Sequence, residues 1–276
     1  MNFNSVVSLT LIWTAMIRNS MKLVVAICCQ LVFFTIGCAT VYNPATERKE
    51  LIFIDSAQEV QIGRSMAENV IKREHKPYRD ASVQLFANKV GQRIARASDR
   101  TDIVYHFMVL DDPDLNAFAL PGGYVYIYKG LLDKIDEPGL AAIFAHEVAH
   151  VAAKHSVKNM QSALGYNLLV AIALAGFGSK DPAFAQDISG VSGTVYNLLS
   201  LGYSREDELF ADKLAVKYLH RAGYEPLAIV RVLELLNKDK GPGGRVFEVL
   251  STHPRMQERI RRVKEEIEGF REAGTR

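Results

Sequence analysis

The sequence predicts an α+β fold that is mainly helical and contains one small β-sheet. Hydrophobic residues make up 49% of the 276 residues and charged residues 23%, a globular composition that excludes a disordered or fibrous chain. Apolar residues recur at helical spacing in six segments, at 55–74, 80–98, 138–164, 204–221, 226–238 and 255–272. Three short runs rich in β-branched and aromatic residues predict strands at 103–110, 117–120 and 124–128.

Individual residues justify these elements in order. Val83, Phe86, Val90 and Ile94 fall on one face of the second helical segment, and Glu137-Pro138 is typical of a helix start. The Pro121-Gly122-Gly123 sequence predicts a turn between the last two strands. The last segment carries an Ile/Val stripe among many charges and is expected to be a solvated surface helix.

Charge and cysteine usage exclude several classes of protein. The 33 Lys and Arg residues nearly balance the 31 Asp and Glu residues, so no basic face for nucleic acid is predicted. All three cysteines lie at or before position 38. The body of the chain therefore has neither a disulfide framework nor a cysteine cluster for a metal.

The N-terminal segment has the pattern of a secretory signal. An uncharged apolar run at 23–36 follows Lys22 and is short for a membrane span. Met21 begins a complete signal by itself, which predicts that translation starts there. An uncleaved anchor helix is the alternative interpretation.

Gly37-Cys38 resembles the lipobox of bacterial lipoproteins, although Thr35 stands where that motif usually has Leu. Cys38 is then the lipidated first residue of the mature chain, and Ala39 after it favours sorting to the outer membrane. This pattern predicts a lipid-anchored protein on the periplasmic side of a cell envelope.

The chain is expected to contain a signal peptide at 1–37, an extended tether at 38–54 and a single domain at 55–272. The uncharged segment 159–179 is close to the length of a membrane span, but its polar residues favour a lid or hairpin over the active site.

The most specific local pattern is His146-Glu147-Val148-Ala149-His150, inside a helical segment. Residues four apart on a helix share a face, so both imidazoles can bind one ion. Between them, Glu147 can reach a water on that ion and take its proton. The pattern predicts a catalytic zinc site, one ion per chain.

A catalytic zinc needs a third protein ligand. A metzincin site would require Gly and His where the chain has Ala153 and Ser156, and His155 is one residue out of register. We therefore expect His155 to be structural or to support a ligand.

A glutamate on the 204–221 helix is the better third ligand. Glu208 and Asp212 are four residues apart, so Glu208 can bind the ion while Asp212 supports a zinc-bound imidazole from behind. Spacing alone does not exclude Glu206, but it has no carboxylate four residues further on.

Taken together, the motifs resemble the zinc metallopeptidases of the HtpX, BepA and CAAX prenyl endopeptidase type, within the gluzincin group. The resemblance covers residues 55–265. The matching motifs, in order, are Asn116-Ala117-Phe118 with Pro121-Gly122-Gly123, the HEVAH pentapeptide, Ser204-Arg205 with Glu208 and Asp212, and Ser251-Thr252-His253-Pro254 with Arg259-Ile260.

This resemblance implies a zincin-like fold in which a small sheet with an exposed edge packs on the active-site helix. It implies zinc on His146, His150 and Glu208, with Glu147 as general base. Asn116-Ala117-Phe118 would be an edge strand beside the bound peptide, and His253 would stabilise the oxyanion or cap the metal. HtpX-like members carry several membrane helices that this sequence lacks outside the signal, which favours the lipoprotein or periplasmic branch.

The resulting hypothesis is a zinc endopeptidase that cuts misfolded or misassembled envelope proteins. The alternative is a latent protease that acts mainly as a periplasmic chaperone or assembly factor. Expected partners are unfolded envelope proteins and, through the N-terminal lipid, a membrane. The sequence leaves oligomeric state open.

Overall fold

The structure is a computed structural model that describes residues 40–71, 75–162, 202–238 and 256–274. The helices are α1 (Ser56–Asn69), α2 (Ala81–Ala97), α3 (Lys129–Leu132), α4 (Glu137–Ala152), α5 (155–162), α6 (Arg205–Arg221), α7 (Leu227–Lys238) and α8 (Met256–Gly274). The strands are β1 (Thr40–Asn43), β2 (Arg48–Leu51), β3 (His106–Leu110), β4 (Ala117–Leu120) and β5 (Tyr124–Tyr128). This content confirms a mainly helical α+β fold. In the part of the chain described, no helix has the length and hydropathy needed to cross a membrane.

The described residues divide into two compact units. One contains β1 and β2 residues at 40–42 and 49–52, and the other contains 43–48 and everything from Phe53 onward. The strands β1 and β2 pair with each other. The segment 38–54 therefore includes a two-stranded sheet where a plain extended tether was expected.

A three-stranded sheet in the order β3-β5-β4 forms one wall of the larger unit. β5 pairs in parallel with β3 and antiparallel with β4, in the register Ala117↔Ile127. The turn between β4 and β5 needs glycine at Gly122, because its φ is 74° and a Cβ there would lie 2.6 Å from the Val60 Cα. Within the described residues β4 has β5 as its only strand neighbour, so it is an edge strand.

Helix α4 lies at the centre of the core and packs against α2, α6, α7 and β4. Every residue from Gly139 to Ala152 is buried. The sheet contacts this helix through a pair of aromatic rings: the centroids of the Phe107 ring in β3 and the Phe144 ring in α4 are 4.8 Å apart. Its alanines allow the neighbouring elements to approach closely.

The helix predicted at 138–164 is interrupted after Ala152. Lys154 adopts a left-handed conformation with φ of 57°, and a helix resumes at 155–162. The carbonyl of Val151 accepts a bond from Arg100 Nη1 at 2.9 Å, and Lys154 Nζ lies 3.5 Å from Glu59 Oε2. Charged groups from distant parts of the chain thus meet where α4 ends.

Helix α8 is not the solvated surface helix that its charges suggested. Its Ile/Val stripe is buried in the core, with Met256, Ile260, Val263 and Ile267 all below a tenth exposed. Apart from Arg259, its charged residues up to Glu268 are exposed or half-buried. Packing of this stripe against α6 and α7 brings Arg259 into the interior.

Candidate metal centre and active site

Helix α4 begins in a way that fixes the position of its histidines. The Asp136 side chain caps the helix by accepting a hydrogen bond from the Gly139 N–H at 2.9 Å, and Pro138 lies in the first turn. His146 and His150 follow on one face of this buried helix.

Helix α6 supplies the carboxylates. Ser204 and Asp207 form a reciprocal capping box, which places three acidic residues in the first turn, where the helix dipole favours them. Glu208 and Asp212 are each 1% exposed, whereas Glu206 is exposed. The structure therefore brings Glu208, and not Glu206, to the two histidines.

The three predicted ligands converge. The Nε2 atoms of His146 and His150 are 3.1 Å apart, and the Glu208 carboxylate lies 3.5 Å from the first and 3.3 Å from the second. Their ligand atoms all lie within 4.8 Å of one another, and all three residues are buried. Among the described residues this is the one such group of three His, Cys, Asp or Glu side chains.

These spacings fit a tetrahedral metal ion. Four ligands at about 2.0–2.1 Å from zinc are separated from each other by roughly 3.3 Å, which matches the distances between the donor atoms. Two imidazoles and one carboxylate also match the donor set of catalytic zinc, in which the fourth position takes water or substrate.

The charges of the site fit a divalent cation as well. Glu147, Glu208 and Asp212 are buried, and Arg259 is the buried arginine among them. When all three carboxylates are ionised and both histidines are neutral, as metal binding requires, one guanidinium leaves an excess of two negative charges. Buried charges are stable only when they are compensated, and an ion of charge +2 provides that compensation.

Asp212 and Arg259 hold His146 from behind. Asp212 Oδ1 lies 3.0 Å from His146 Nδ1, as predicted for a carboxylate that supports a ligand. Arg259 donates two bonds of 2.7 Å to Asp212, and its Nη1 lies 2.8 Å from Glu208. Burial and Arg259 lower the pKa of His146, but its bonds to Asp212 and Glu208 outweigh them and raise that pKa to about 9.

His150 has its own supporting group, which sequence reasoning found only in part. His155 Nδ1 lies 3.0 Å from His150 Nδ1, and His155 Nε2 lies 3.3 Å from Asp207, so His155 contacts a candidate ligand but is not one of the three converging residues. Burial and the neighbouring His150 lower the pKa of His155 to about 3, which keeps this ring neutral. The Tyr203 ring stacks on His150 at 3.9 Å.

Arg259, Tyr203 and Asp207 received no role from the sequence. A signal for Arg259 existed, because it interrupts the apolar stripe of α8 between Met256 and Ile260. A charged residue on an otherwise apolar face is expected to meet a buried partner. Tyr203 and Asp207 carry no comparable signal.

The structure describes some of the remaining predicted site residues and not others. Asn116 precedes the edge strand β4, which contains Ala117 and Phe118, and Ala117 lines the same cavity as His146 and Glu147. His253 and Cys38 lie outside the described residues, as does most of the uncharged segment 159–179.

Comparison with known proteins identifies relatives. Residues 81–267 match the model of peptidase family M48. Mitochondrial metalloendopeptidase OMA1 of Schizosaccharomyces pombe is 30% identical over 233 residues, which cover 81% of this chain and 65% of the relative. The beta-barrel assembly-enhancing protease of Escherichia coli is 28% identical over 193 residues, covering 66% and 38%. Metalloprotease LoiP of Escherichia coli is 31% identical over 154 residues, covering 56% and 59%.

This chain spans less than two thirds of the length of each of these relatives. The family match covers more than half of the chain and includes all three converging ligands. It confirms the resemblance that the motifs predicted. The chain belongs to peptidase family M48.

Proposed function

We propose that this chain is a zinc-dependent endopeptidase of the cell envelope. The observation that carries the proposal is the convergence of His146, His150 and Glu208 within 4.8 Å, with Glu147 on the same helix beside the site cavity. A closed structural zinc site normally has four protein ligands, whereas these three leave a position for water or substrate.

The residues of this site have separable roles. Zinc bound there would act as a Lewis acid and lower the pKa of the attacking water molecule. Glu147 accepts the proton of the attacking water and delivers it to the leaving amine. Asp212 and His155 orient the two imidazoles, and Arg259 compensates the carboxylates of Asp212 and Glu208.

Strand β4 supports binding of an extended peptide. Tyr128 N–H donates to the Asn116 carbonyl at 2.9 Å, so pairs that are hydrogen-bonded to β5 alternate with pairs that are not, and the backbone groups of Ala117 and Ala119 point away from β5. The Ala117 N–H donates to Asn116 Oδ1 at 2.9 Å, which leaves the Ala117 carbonyl and the backbone groups of Ala119 to pair with a peptide. An edge with this orientation can pair with a substrate backbone without reading its side chains. Such recognition suits the varied sequences of unfolded proteins.

The proposed substrates are misfolded or misassembled envelope proteins. The name of the Escherichia coli relative, a beta-barrel assembly-enhancing protease, supports a role of this kind. We propose that lipidation at Cys38 anchors the chain on the periplasmic side of the outer membrane. Metabolic labelling with a radioactive fatty acid tests this, and equal labelling of the Cys38→Ala variant would contradict it.

Zinc content and peptide-bond cleavage test the activity. We expect about one zinc per chain in both the parent and Glu147→Gln, and cleavage of unfolded casein by the parent alone. General-base loss typically costs about 10²–10⁴-fold in rate. Zinc in both with cleavage in neither would favour the latent chaperone, and absence of zinc would contradict the ligand assignment.

A second comparison tests substrate choice. One disulfide protein is offered in its native form and after reduction and alkylation, which unfolds it without changing its sequence. We expect the unfolded form to be cut much faster. Equal rates for both forms would contradict a role in removing misfolded proteins.

A further inference from the structure

A small cavity opens directly beside His146 and Glu147. Its volume is about 40 Å³, and His146 and Glu147 form part of its wall. The rest of the wall comes from α4, α7, α8, Leu131 of α3 and Ala117 of the edge strand. A peptide lying along β4 with its scissile bond at Glu147 would therefore pass over the mouth of this cavity.

Apart from His146, Glu147 and Arg259, the residues of the cavity wall are apolar. Its apolar side chains include Ala142, Ile143, Ile229, Val232, Leu233 and Leu236. Each of them is less than a tenth exposed. Cavities lined in this way hold water poorly and are filled favourably by hydrocarbon groups.

The cavity volume limits what can enter. One water-sized sphere occupies about 10–15 Å³ of such a volume, so the space holds roughly three such spheres, which limits it to a short side chain. The side chain of valine has three carbons, whereas an aromatic ring needs considerably more room.

We propose that this cavity receives the side chain of a residue flanking the scissile bond and selects small aliphatic side chains, up to the size of valine. The inference rests on the proposed peptidase activity and adds its substrate preference. The edge strand would bind the backbone of any sequence, and the cavity would determine where that sequence is cut. The alternative is a packing defect that substrate never enters.

Val232 allows a matched test. Val232 and Val230 both lie in α7 and are 6% and 5% exposed, but only Val232 lines the cavity. Val232→Ala enlarges the cavity and Val232→Ile fills it, while Val230→Ala makes the same truncation elsewhere in the core. Melting temperatures of the full-length variants show that each is folded.

Cleavage is measured on peptides of one sequence in which each residue beside the cleaved bond is Ala, Val, Leu or Phe in turn. On one side of the bond, the parent is expected to prefer Ala and Val. Val232→Ala should raise the Leu-to-Val rate ratio by about tenfold, because one methylene in an apolar pocket changes selectivity by about that factor or more. Val232→Ile should lower the Val-to-Ala ratio, and Val230→Ala should change neither.

The outcomes separate this inference from the function on which it rests. Cleavage with the same preferences in the parent and both Val232 variants would overturn the cavity assignment and leave the peptidase intact. A parent preference for Phe on both sides would also overturn it. Failure of the parent to cut any of these peptides or unfolded casein would overturn the proposed function and the cavity assignment with it.

Discussion

Asp212 positions the imidazole of His146, one of the three candidate metal ligands, although Asp212 is not itself a candidate ligand. It touches His146 on one side and the Arg259 guanidinium on the other. The contact with His146 selects the ring orientation in which Nε2 faces His150 and Glu208. The guanidinium lowers the pKa of the buried Asp212 carboxyl despite the opposing effect of burial, so the contact is made by an anion.

We expect Asp212→Asn to weaken zinc binding by about 10–100-fold, since loss of a carboxylate behind a ligand has that typical effect. Competition against a zinc chelator measures it. Glu206→Gln is the matched control, because it removes an exposed acid from the same helix. Equal zinc affinities for the parent and both variants would contradict the role of Asp212.

At the scale of single elements, helix starts were the easiest features to predict. The segments predicted at 55–74, 80–98 and 204–221 begin at Asp55, Asp80 and Ser204, and each of these residues caps its helix in the structure. Asp136 caps the helix whose start was predicted at Glu137-Pro138. A cap acts through local bonds, so its signal lies in neighbouring residues. One continuous helix was predicted over 138–164, whereas the structure divides it at Lys154, where Arg100 and Glu59 from distant parts of the chain make contacts.

Asp136→Ala removes the cap of the helix that carries both histidines. We expect the free energy of unfolding to fall by about 1 kcal/mol, the usual cost of losing such a cap. Urea denaturation followed by circular dichroism measures this change. Zinc stoichiometry should remain at one, because the ligands lie further along α4; a lost metal site without loss of stability would contradict this separation.

At the scale of the whole molecule, a buried ion pair connects three elements. Arg100 donates to both Glu59 oxygens at 2.8 and 2.7 Å, and also to the Val151 carbonyl. Glu59 accepts a bond from Gly122 N–H at 3.1 Å. This cluster joins α1, the turn after the edge strand and the end of the metal-binding helix.

Removing one partner of a buried pair leaves an uncompensated charge. We therefore expect Arg100→Met to lower the free energy of unfolding by about 3–5 kcal/mol. Arg64→Met is the control, since Arg64 lies on the surface of α1 with its side chain 74% exposed. The double variant Glu59→Leu/Arg100→Met should recover part of the loss. A destabilisation that is equal in the single and double variants would argue against the charge as its cause.

Asp99 links α2 to α6 and makes stability dependent on pH. Although burial raises its pKa, hydrogen bonds from Lys217 at 2.9 Å and Arg221 at 2.6 Å outweigh burial and lower that pKa. A carboxyl with a lowered folded-state pKa stabilises the fold above its usual value of 3.8 and ceases to do so as pH falls through the lowered value.

We therefore expect Asp99→Asn to reduce the urea midpoint at pH 7 and to lose this effect as pH falls below about 3.8, the ordinary value for the group. Midpoints measured in steps between pH 7 and pH 3 test this for the parent and the variant. A difference that stays constant over that range would show that the ion pairs of Asp99 do not cause it.

The sequence by itself determined which residues could bind a metal and which segments could form helices and strands. Those features depend on spacing along one element, such as His146 and His150 on one helix face or Glu208 and Asp212 on another. Only the tertiary structure decided between Glu208 and Glu206, buried the stripe of α8, and placed Arg259, Tyr203 and His155 around the ligands. These outcomes depend on contacts between residues far apart in the chain, which hydrophobic packing creates and local periodicity does not encode.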